Sequence, residues 1–405
     1  MAPMLKILSL DGGGIRGLSS LLILEKLMET IQKDQHLEKI PRPCDYFDLI
    51  GGTSTGGIIA IMLGRLEMSV EDCIKTYRSF AERAFTPKRR ILSLPASPNG
   101  AYSALALEIA MKDVVKTQCR NINCTNLQTC THGDEPFQDD SCVKTVVLAV
   151  TKENVDAKPT LFRTYDKTSG FRDCTIWQVA RATSAASTFF KSIKLGRDQI
   201  EFIDAGFGYN NPCQVLMDEA QKQFPEAHQV RVLSIGTGLG AVVTIKNTRI
   251  SILKALKSIA TTSKKVADRL DDEYGETGQY YRFNVDRGLE DITLADWHKD
   301  SQISAHTHNY LQDKERDIVR CALAFSTTGD EVDDLDDDWS YDHQFSEKSR
   351  NNLRAIRPRL VMLRNKASQD AEQCNSIIRV GPGGWGRISD NECDGGSKQW
   401  NFVAV

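Results

Sequence analysis

Short apolar runs alternate with glycine-rich turns and amphipathic segments in the first sixty residues of the chain. Leu5 to Leu10 has the apolar character and length of a buried strand, and a glycine turn follows it directly. From about Leu18 the apolar residues recur at helical spacing, with charged residues on the opposite side. This pattern predicts a strand, a tight turn and a helix.

The same unit is predicted a second time. Tyr46 to Gly51 is a second apolar run with the length of a strand, and after another turn Gly57 to Leu63 predicts a nearly all-apolar helix. Repeated strand, turn and helix units build the parallel sheets of α/β proteins. The first sixty residues therefore predict the start of an α/β fold.

Further strands are predicted at Val143 to Val150, at Ile200 to Asp204 after a short turn, and at Gln229 to Ile235. A helix is predicted over Ile176 to Phe189. We expect the α/β core to cover about residues 1–245, with added helices and loops packing on it over 246–325.

The last part of the chain, residues 326–405, has a different composition. Asp330 to Asp338 contains seven acidic residues in nine. Such a run predicts a solvated loop, with an acidic interaction site as the alternative. A short helix and then a polar, glycine-rich tail or linker from about Gln369 are expected to follow.

Composition narrows the class of protein. With 405 residues and 40% hydrophobic residues the chain can bury a large core. The net charge is −3, whereas proteins that bind nucleic acids usually carry an excess of basic residues, so no nucleic acid is expected as a partner. The sequence predicts no secretory signal, and no apolar run approaches the ~20 residues of a spanning helix. We expect a cytoplasmic protein whose contact with membranes is at most peripheral.

The first candidate for chemistry is Ser54, at the centre of Gly52-Thr53-Ser54-Thr55-Gly56. A glycine, serine and glycine in alternate positions between a predicted strand and helix are typical of a nucleophile elbow, which lifts the serine hydroxyl above the sheet. The N-terminus of the following helix favours the negative charge that develops when the serine reacts. Ser54 is therefore the predicted nucleophile, with Gly52 and Gly56 shaping its turn.

Asp204, in Asp204-Ala205-Gly206, is the predicted base. It ends a predicted strand, and a carboxylate within hydrogen-bond reach can accept a serine proton. None of the seven histidines has a sequence context that fits a third catalytic residue: His36, His132, His228, His298, His306, His308 and His343. The sequence predicts a Ser-Asp dyad without histidine.

The glycine turn from Asp11 to Gly17 has two interpretations. It fits the Gly-x-Gly-x-x-Gly dinucleotide motif, but the acidic residue expected about twenty residues on is missing, and there is no Gly-Lys-Ser/Thr of a P-loop. Alternatively, the amides of Gly12, Gly13 and Gly14 donate hydrogen bonds to an oxyanion. In that interpretation Arg16 adds positive charge or braces the loop.

Taken together, the turn from Asp11 to Gly17, the serine turn and the Asp204 tripeptide resemble the patatin-like phospholipases in order and spacing. The segment Trp177 to Ala186 and Asn210-Asn211-Pro212 extend the resemblance, which covers about residues 5–325. It implies a three-layer α/β/α fold with a mainly parallel central sheet. It also implies Ser54 as nucleophile, Asp204 as base, and Gly12 to Gly14 with Arg16 as the oxyanion site.

The resemblance implies a serine hydrolase that acts on the carboxylic esters of lipids, as a phospholipase A2-like acyl hydrolase. The expected substrate is a phospholipid or another acyl lipid at a membrane surface, and no cofactor or metal is expected for the chemistry. An acyltransferase that uses the same dyad and a non-catalytic lipid-binding module stay open as alternatives.

One polar segment, about Thr117 to Cys142, is a departure from the family's motif pattern. It contains Cys119, Cys124, Cys130, Cys142 and His132 at irregular spacings. Free thiols are the expectation here, because the chain has eleven cysteines and no predicted secretory signal. Local disulfides and a structural zinc site are the alternatives.

Overall fold

The computed structural model describes residues 4–85, 101–119, 124, 130–186, 189–238, 250–285, 287–326, 360–362 and 386–388. The chain divides into two compact units, Met1–Asp334 and Leu335–Val405. The predicted acidic loop and nearly all of the predicted glycine-rich tail lie outside the described residues. In the second unit the structure describes two short paired strands.

Strands and helices alternate through the first unit. The described strands are β1 (Leu5–Leu10), β2 (Leu49–Thr53), β3 (Lys144–Thr151), β4 (Thr160–Arg163), β5 (Ile193–Leu195), β6 (Ile200–Asp204), β7 (Val230–Ile235) and β8 (Tyr280–Phe283), with β9 (Leu360–Met362) and β10 (Gly386–Ile388) in the second unit. The described α-helices are α1 (Gly17–Asp34), α2 (Pro43–Tyr46), α3 (Thr55–Ala60), α4 (Val70–Ala84), α5 (Ala104–Thr117), α6 (Ile176–Thr183), α7 (Gly206–Tyr209), α8 (Cys213–Gln223), α9 (Ile250–Tyr274), α10 (Asp300–Asp313) and α11 (Glu315–Ser326).

The sheet is mainly parallel, as predicted. Its strand order is β5-β6-β3-β2-β1-β7-β8, with β4 paired to β3 off this path. The neighbouring strands β3, β2, β1, β7 and β8 are parallel to one another. At one side of the sheet β4 and β6 pair antiparallel with β3, and β5 pairs antiparallel with β6. β1 and β2 are parallel neighbours, so the glycine turn and the serine turn leave adjacent strands at the same edge of the sheet.

Helices cover both faces of the sheet. Along β1, Leu8 and Leu10 belong to the apolar cluster that contains α1, α3, α4 and α6, while Leu5 and Ile7 belong to the cluster that contains α8. Side chains of a strand alternate between the two faces, so each set faces its own helical layer. The result is the predicted three-layer arrangement. None of the described helices is both long and apolar enough to cross a membrane.

Several predicted boundaries differ from the structure. β2 begins at Leu49, three residues after the predicted start, because Pro43 begins the short helix α2. The apolar helix after the serine turn is α3, which continues as a π-helical turn over Ile61–Arg65.

Two other elements also depart from the prediction. α6 ends at Thr183 instead of Phe189, and two residues later the carbonyl of Ala185 accepts a hydrogen bond from the amide of Asp204 at 3.2 Å. β8 lies where helices and loops were expected, and it extends the sheet beyond β7.

Candidate active site

Ser54 lies in the turn between β2 and α3, as predicted. Its φ and ψ are 56° and −128°, a conformation that a residue other than glycine rarely adopts. A Cβ atom on Gly52 would lie 2.2 Å from the carbonyl oxygen of Gly56, so the two glycines let the chain fold back on itself. The geometry is that of a nucleophile elbow.

Thr183, the last residue of α6, holds this turn. Its hydroxyl accepts a hydrogen bond from the amide of Ser54 at 2.8 Å and donates one to the carbonyl of Leu148 in β3 at 2.7 Å. Thr183 is fully buried. Although it falls within the segment that carries the family resemblance, its sequence position alone gave it no role.

Asp204 ends β6 and faces Ser54. The Oγ of Ser54 donates a hydrogen bond to Oδ2 of Asp204 at 2.6 Å. The other carboxylate oxygen, Oδ1, accepts the amide of Gly206 at 2.7 Å. Both oxygens of the carboxylate therefore have a donor, and one lone pair is directed at the serine hydroxyl.

The environment of Asp204 raises the affinity of its carboxylate for a proton. Its side chain is buried, and this desolvation raises its pKa from 3.8 to about 6, against the lowering effect of the hydrogen bonds from Ser54 and Gly206. A base whose pKa lies just below neutral pH is ionised there yet holds a proton better than an exposed carboxylate does.

The side-chain hydrogen bonds of Ser54 and Asp204 do not involve a histidine anywhere in the described part of the chain. His132 lies instead in a group of cysteines, and His343 is outside the described residues. The geometry is that of a direct Ser-Asp pair.

The glycine turn lies against Ser54. A Cβ atom on Gly12 would lie 2.9 Å from Cβ of Ser54 and 2.6 Å from Oδ1 of Asn210. Only glycine allows this approach without a shift. The carbonyl of Gly12 accepts hydrogen bonds from Asn210 Nδ2 at 3.2 Å and Thr237 Oγ1 at 2.8 Å, which fix the position of the loop.

The backbone N-H groups that were predicted to bind an oxyanion differ in whether they already have a hydrogen-bond acceptor. The N-H of Gly12 donates to the carbonyl of Asn210 at 3.2 Å, and that of Gly13 donates to Oγ1 of Thr55 at 3.1 Å. Gly14 has a φ of 58°. Within the described residues its amide has no protein acceptor, and neither has the amide of Thr55 at the start of α3. Thr55 was not singled out from the sequence.

Arg16 braces the loop instead of facing the serine. Its guanidinium is buried and donates to the backbone carbonyls of Ile292 and Gly238. Burial lowers its pKa from 12.5 to about 10, so it keeps its charge at neutral pH. Of the two roles considered for Arg16 from the sequence, these contacts match bracing.

A buried ion pair fixes the start of the glycine turn. Both carboxylate oxygens of Asp11 accept hydrogen bonds from Arg282 of β8, at 2.9 and 2.6 Å, and the guanidinium also donates to Ser234 of β7 at 2.7 Å. No sequence signal indicated Arg282, since it is separated from Asp11 by 271 positions along the chain.

The fold and the site thus define a class of protein. It is a three-layer α/β domain in which a serine on a strained strand-to-helix turn donates a hydrogen bond directly to a buried aspartate. The sequence pattern of the patatin-like phospholipases matches residues 8–217, just over half of the chain. The chain belongs to the patatin-like phospholipase family.

Individual relatives agree with this assignment. The human calcium-independent phospholipase A2-gamma is 28% identical over 338 residues, which cover 80% of this chain and 40% of that protein. The cGAMP-activated phospholipase of Vibrio cholerae is 31% identical over 248 residues, covering 57% of this chain and 64% of that protein. Patatin-like protein 2 of Arabidopsis thaliana is 30% identical over 258 residues, covering 57% and 59%. The chain spans about two fifths of the human relative.

Proposed function

We propose that this protein is a lipid acyl hydrolase of the phospholipase A type, with Ser54 as the nucleophile and Asp204 as the general base. The observation that carries the proposal is the hydrogen bond of 2.6 Å from Ser54 Oγ to the buried carboxylate of Asp204. A serine hydroxyl needs such a base before it attacks an ester.

The reaction begins when Asp204 accepts the proton of Ser54 and Oγ attacks the ester carbonyl carbon. The tetrahedral intermediate collapses, the bond to the alcohol breaks, and Asp204 returns the proton to the leaving oxygen. Asp204 then accepts a proton from water, which attacks the acyl-serine. The second tetrahedral intermediate collapses, the bond between the acyl carbon and Oγ breaks, and Asp204 returns the proton to Oγ as the fatty acid leaves.

The loop of Gly12, Gly13 and Gly14 supplies the oxyanion site in this proposal. The amide of Gly12 is engaged by Asn210, so the part of Gly12 is to let the loop approach Ser54 closely. The N-H groups of Gly14 and Thr55 have no acceptor among the described residues and are candidate donors. The residue after the nucleophile commonly contributes such a donor. Arg16 keeps the loop in place through the hydrogen bonds that its guanidinium donates to the carbonyls of Ile292 and Gly238.

The proposed substrate is a phospholipid presented at a membrane surface, to which the protein binds from the cytoplasmic side as a peripheral protein. The names of the human and bacterial relatives support phospholipids as the substrate class.

Two further residues would position the dyad without contacting substrate. Arg282 orients Asp11, and Thr183 orients Ser54.

The test is release of fatty acid from phospholipid vesicles by wild type, Ser54→Ala and Asp204→Asn. Each substitution removes one half of the dyad, and we expect the rate to fall on the order of 10³-fold or more. Ser301→Ala and Asp218→Asn, at exposed positions on α10 and α8, are matched controls and should retain wild-type rates. Activity in either dyad variant close to wild type would contradict the proposal.

Two further measurements separate the alternatives. An added alcohol or lysolipid acceptor that takes most of the acyl group would indicate a transacylase. A fluorophosphonate probe that labels wild type but not Ser54→Ala would exclude a purely lipid-binding module, and a folded wild type that stays unlabelled would support it.

A further inference from the structure

A loop outside the dyad brings three cysteines and one histidine together. Cys119 follows the last turn of α5, where its amide donates to the carbonyl of Lys116 at 3.1 Å. Cys130 and His132 lie at the start of the 3-10 turn His132–Asp134, which precedes β3. Cys124 lies between Cys119 and Cys130 in the chain. All four belong to the polar segment from about Thr117 to Cys142.

The four side chains converge on one point. Nδ1 of His132 lies 3.4 Å from Sγ of Cys119, 3.0 Å from Sγ of Cys124 and 3.5 Å from Sγ of Cys130. The four ligand atoms all lie within 4.8 Å of one another. Tetrahedral zinc, with bonds of ~2.3 Å to sulfur and ~2.0 Å to nitrogen, holds its ligands about 3.5 to 3.8 Å apart.

We propose that Cys119, Cys124, Cys130 and His132 form a structural zinc site. Three thiolates and an imidazole are a common donor set for this ion, and they fill all four tetrahedral positions. A site without an open position cannot activate water or polarise a substrate. The zinc therefore stabilises the loop and takes no part in ester hydrolysis.

Other uses of these residues fit the geometry less well. A disulfide would use two of the three thiols and would not explain why the third thiol also lies beside the histidine. The structure contains all three as free thiols. A Cys-His nucleophile would need one thiol next to the imidazole, whereas three surround the same ring nitrogen. The fourth cysteine of the segment, Cys142, lies apart and donates to the carbonyl of Asp139 at 3.2 Å.

The neighbouring contacts show what such a site would secure. Two residues after His132, the carboxylate of Asp134 accepts a hydrogen bond from Nε1 of Trp177 in α6 at 2.7 Å and pairs with Lys112 of α5 at 3.0 Å. The amide of Ile176 donates to the carbonyl of Glu135 at 2.9 Å. Zinc would tie the end of α5 to the segment that holds the start of α6.

The experiment measures zinc in the untagged full-length protein, purified without chelators and desalted, by elemental mass spectrometry. We expect about one zinc per chain, because a closed four-ligand site retains its ion through desalting. Cys124→Ser should lower this content several-fold, and His132→Cys, which keeps four ligands, should retain it. Cys142→Ser is the matched control and should bind as much zinc as wild type.

A second measurement does not depend on any variant. Wild-type protein in which Co²⁺ replaces zinc should show the strong absorption of tetrahedral cobalt together with thiolate-to-cobalt charge transfer. Less than about one tenth of a zinc per chain in folded wild type after zinc loading would overturn the proposal. So would a disulfide within the cluster in the intact mass under non-reducing conditions, stoichiometric binding of iron in place of zinc, or equal loss of zinc in Cys142→Ser.

Discussion

The hydroxyl of Thr183 lies 2.8 Å from the amide nitrogen of Ser54 and accepts its hydrogen bond. The same hydroxyl donates to the carbonyl of Leu148 at 2.7 Å, so it joins the serine turn to β3. Because β3 also pairs with β6, this contact connects Ser54 to the strand that carries Asp204. The serine and the aspartate are held by one hydrogen-bonded unit.

Replacement of Thr183 by valine should therefore impair both stability and activity. The substitution keeps the shape of the side chain but leaves a buried N-H and a buried carbonyl without their partner, at a cost of about 2 kcal/mol in the free energy of unfolding. A displaced Ser54 should lower kcat about tenfold, because small misplacements of a nucleophile are costly. Denaturant unfolding and vesicle hydrolysis measure the two effects.

Thr183→Ser is the matched control for that variant, since it keeps the hydroxyl. It should retain most of the activity that valine loses. If serine and valine were equally impaired, the hydrogen bond would not be what positions Ser54.

The rate should depend on pH through Asp204. Burial raises the pKa of this carboxyl to about 6, and the protonated acid cannot accept the serine proton. We expect kcat/KM to level off above about pH 7 and to fall roughly tenfold per pH unit well below pH 6, since kcat/KM reports the pKa of the free enzyme. A soluble ester avoids changes in the vesicle surface with pH. A rate that stays constant down to about pH 4 would contradict the assignment of Asp204 as the base.

Asp204→Asn should unfold at a temperature no lower than wild type at neutral pH. The folded pKa is raised from 3.8 to about 6, so the folded state holds the proton more tightly than the unfolded state. Stability is therefore lost as the pH rises from about 4 to about 6, and the full cost of the buried charge, on the order of 3 kcal/mol, is present above that range. The neutral asparagine removes this cost.

The difference in stability between Asp204→Asn and wild type should narrow below about pH 4, where the wild-type carboxyl is protonated in both states. Calorimetry across this pH range measures it. A variant that is clearly less stable than wild type at pH 7 would show that the aspartate is mainly structural.

Gly12→Ala should strongly slow hydrolysis. The added methyl would lie 2.9 Å from Cβ of Ser54 and 2.6 Å from Oδ1 of Asn210, so the loop or the nucleophile must move. We expect a loss on the order of 10²-fold in kcat. Gly170→Ala is a matched control, because nothing lies within 4 Å of the added atom. Normal activity of Gly12→Ala would argue against close contact between loop and nucleophile during catalysis.

The sequence by itself determined the local units of this protein. Periodicity indicated β1, the start of α1, β3 and β7, because a buried strand or an amphipathic helix needs apolar residues at fixed spacing. Glycine spacing indicated the two turns at the sheet edge, since only glycine permits such close backbone approach. The order of the motifs was sufficient to name Ser54 and Asp204 as partners.

The tertiary structure decided how these units meet. β6 runs antiparallel to β3, with Asp204 opposite Ala149, and this register brings the aspartate to Ser54 although their strands run in opposite directions. The resulting hydrogen bond joins Ser54 and Asp204, which are 150 positions apart, and no local pattern encodes it. The same holds for Arg282 on Asp11, and for the convergence of Cys119, Cys124 and Cys130 on His132 despite their irregular spacing.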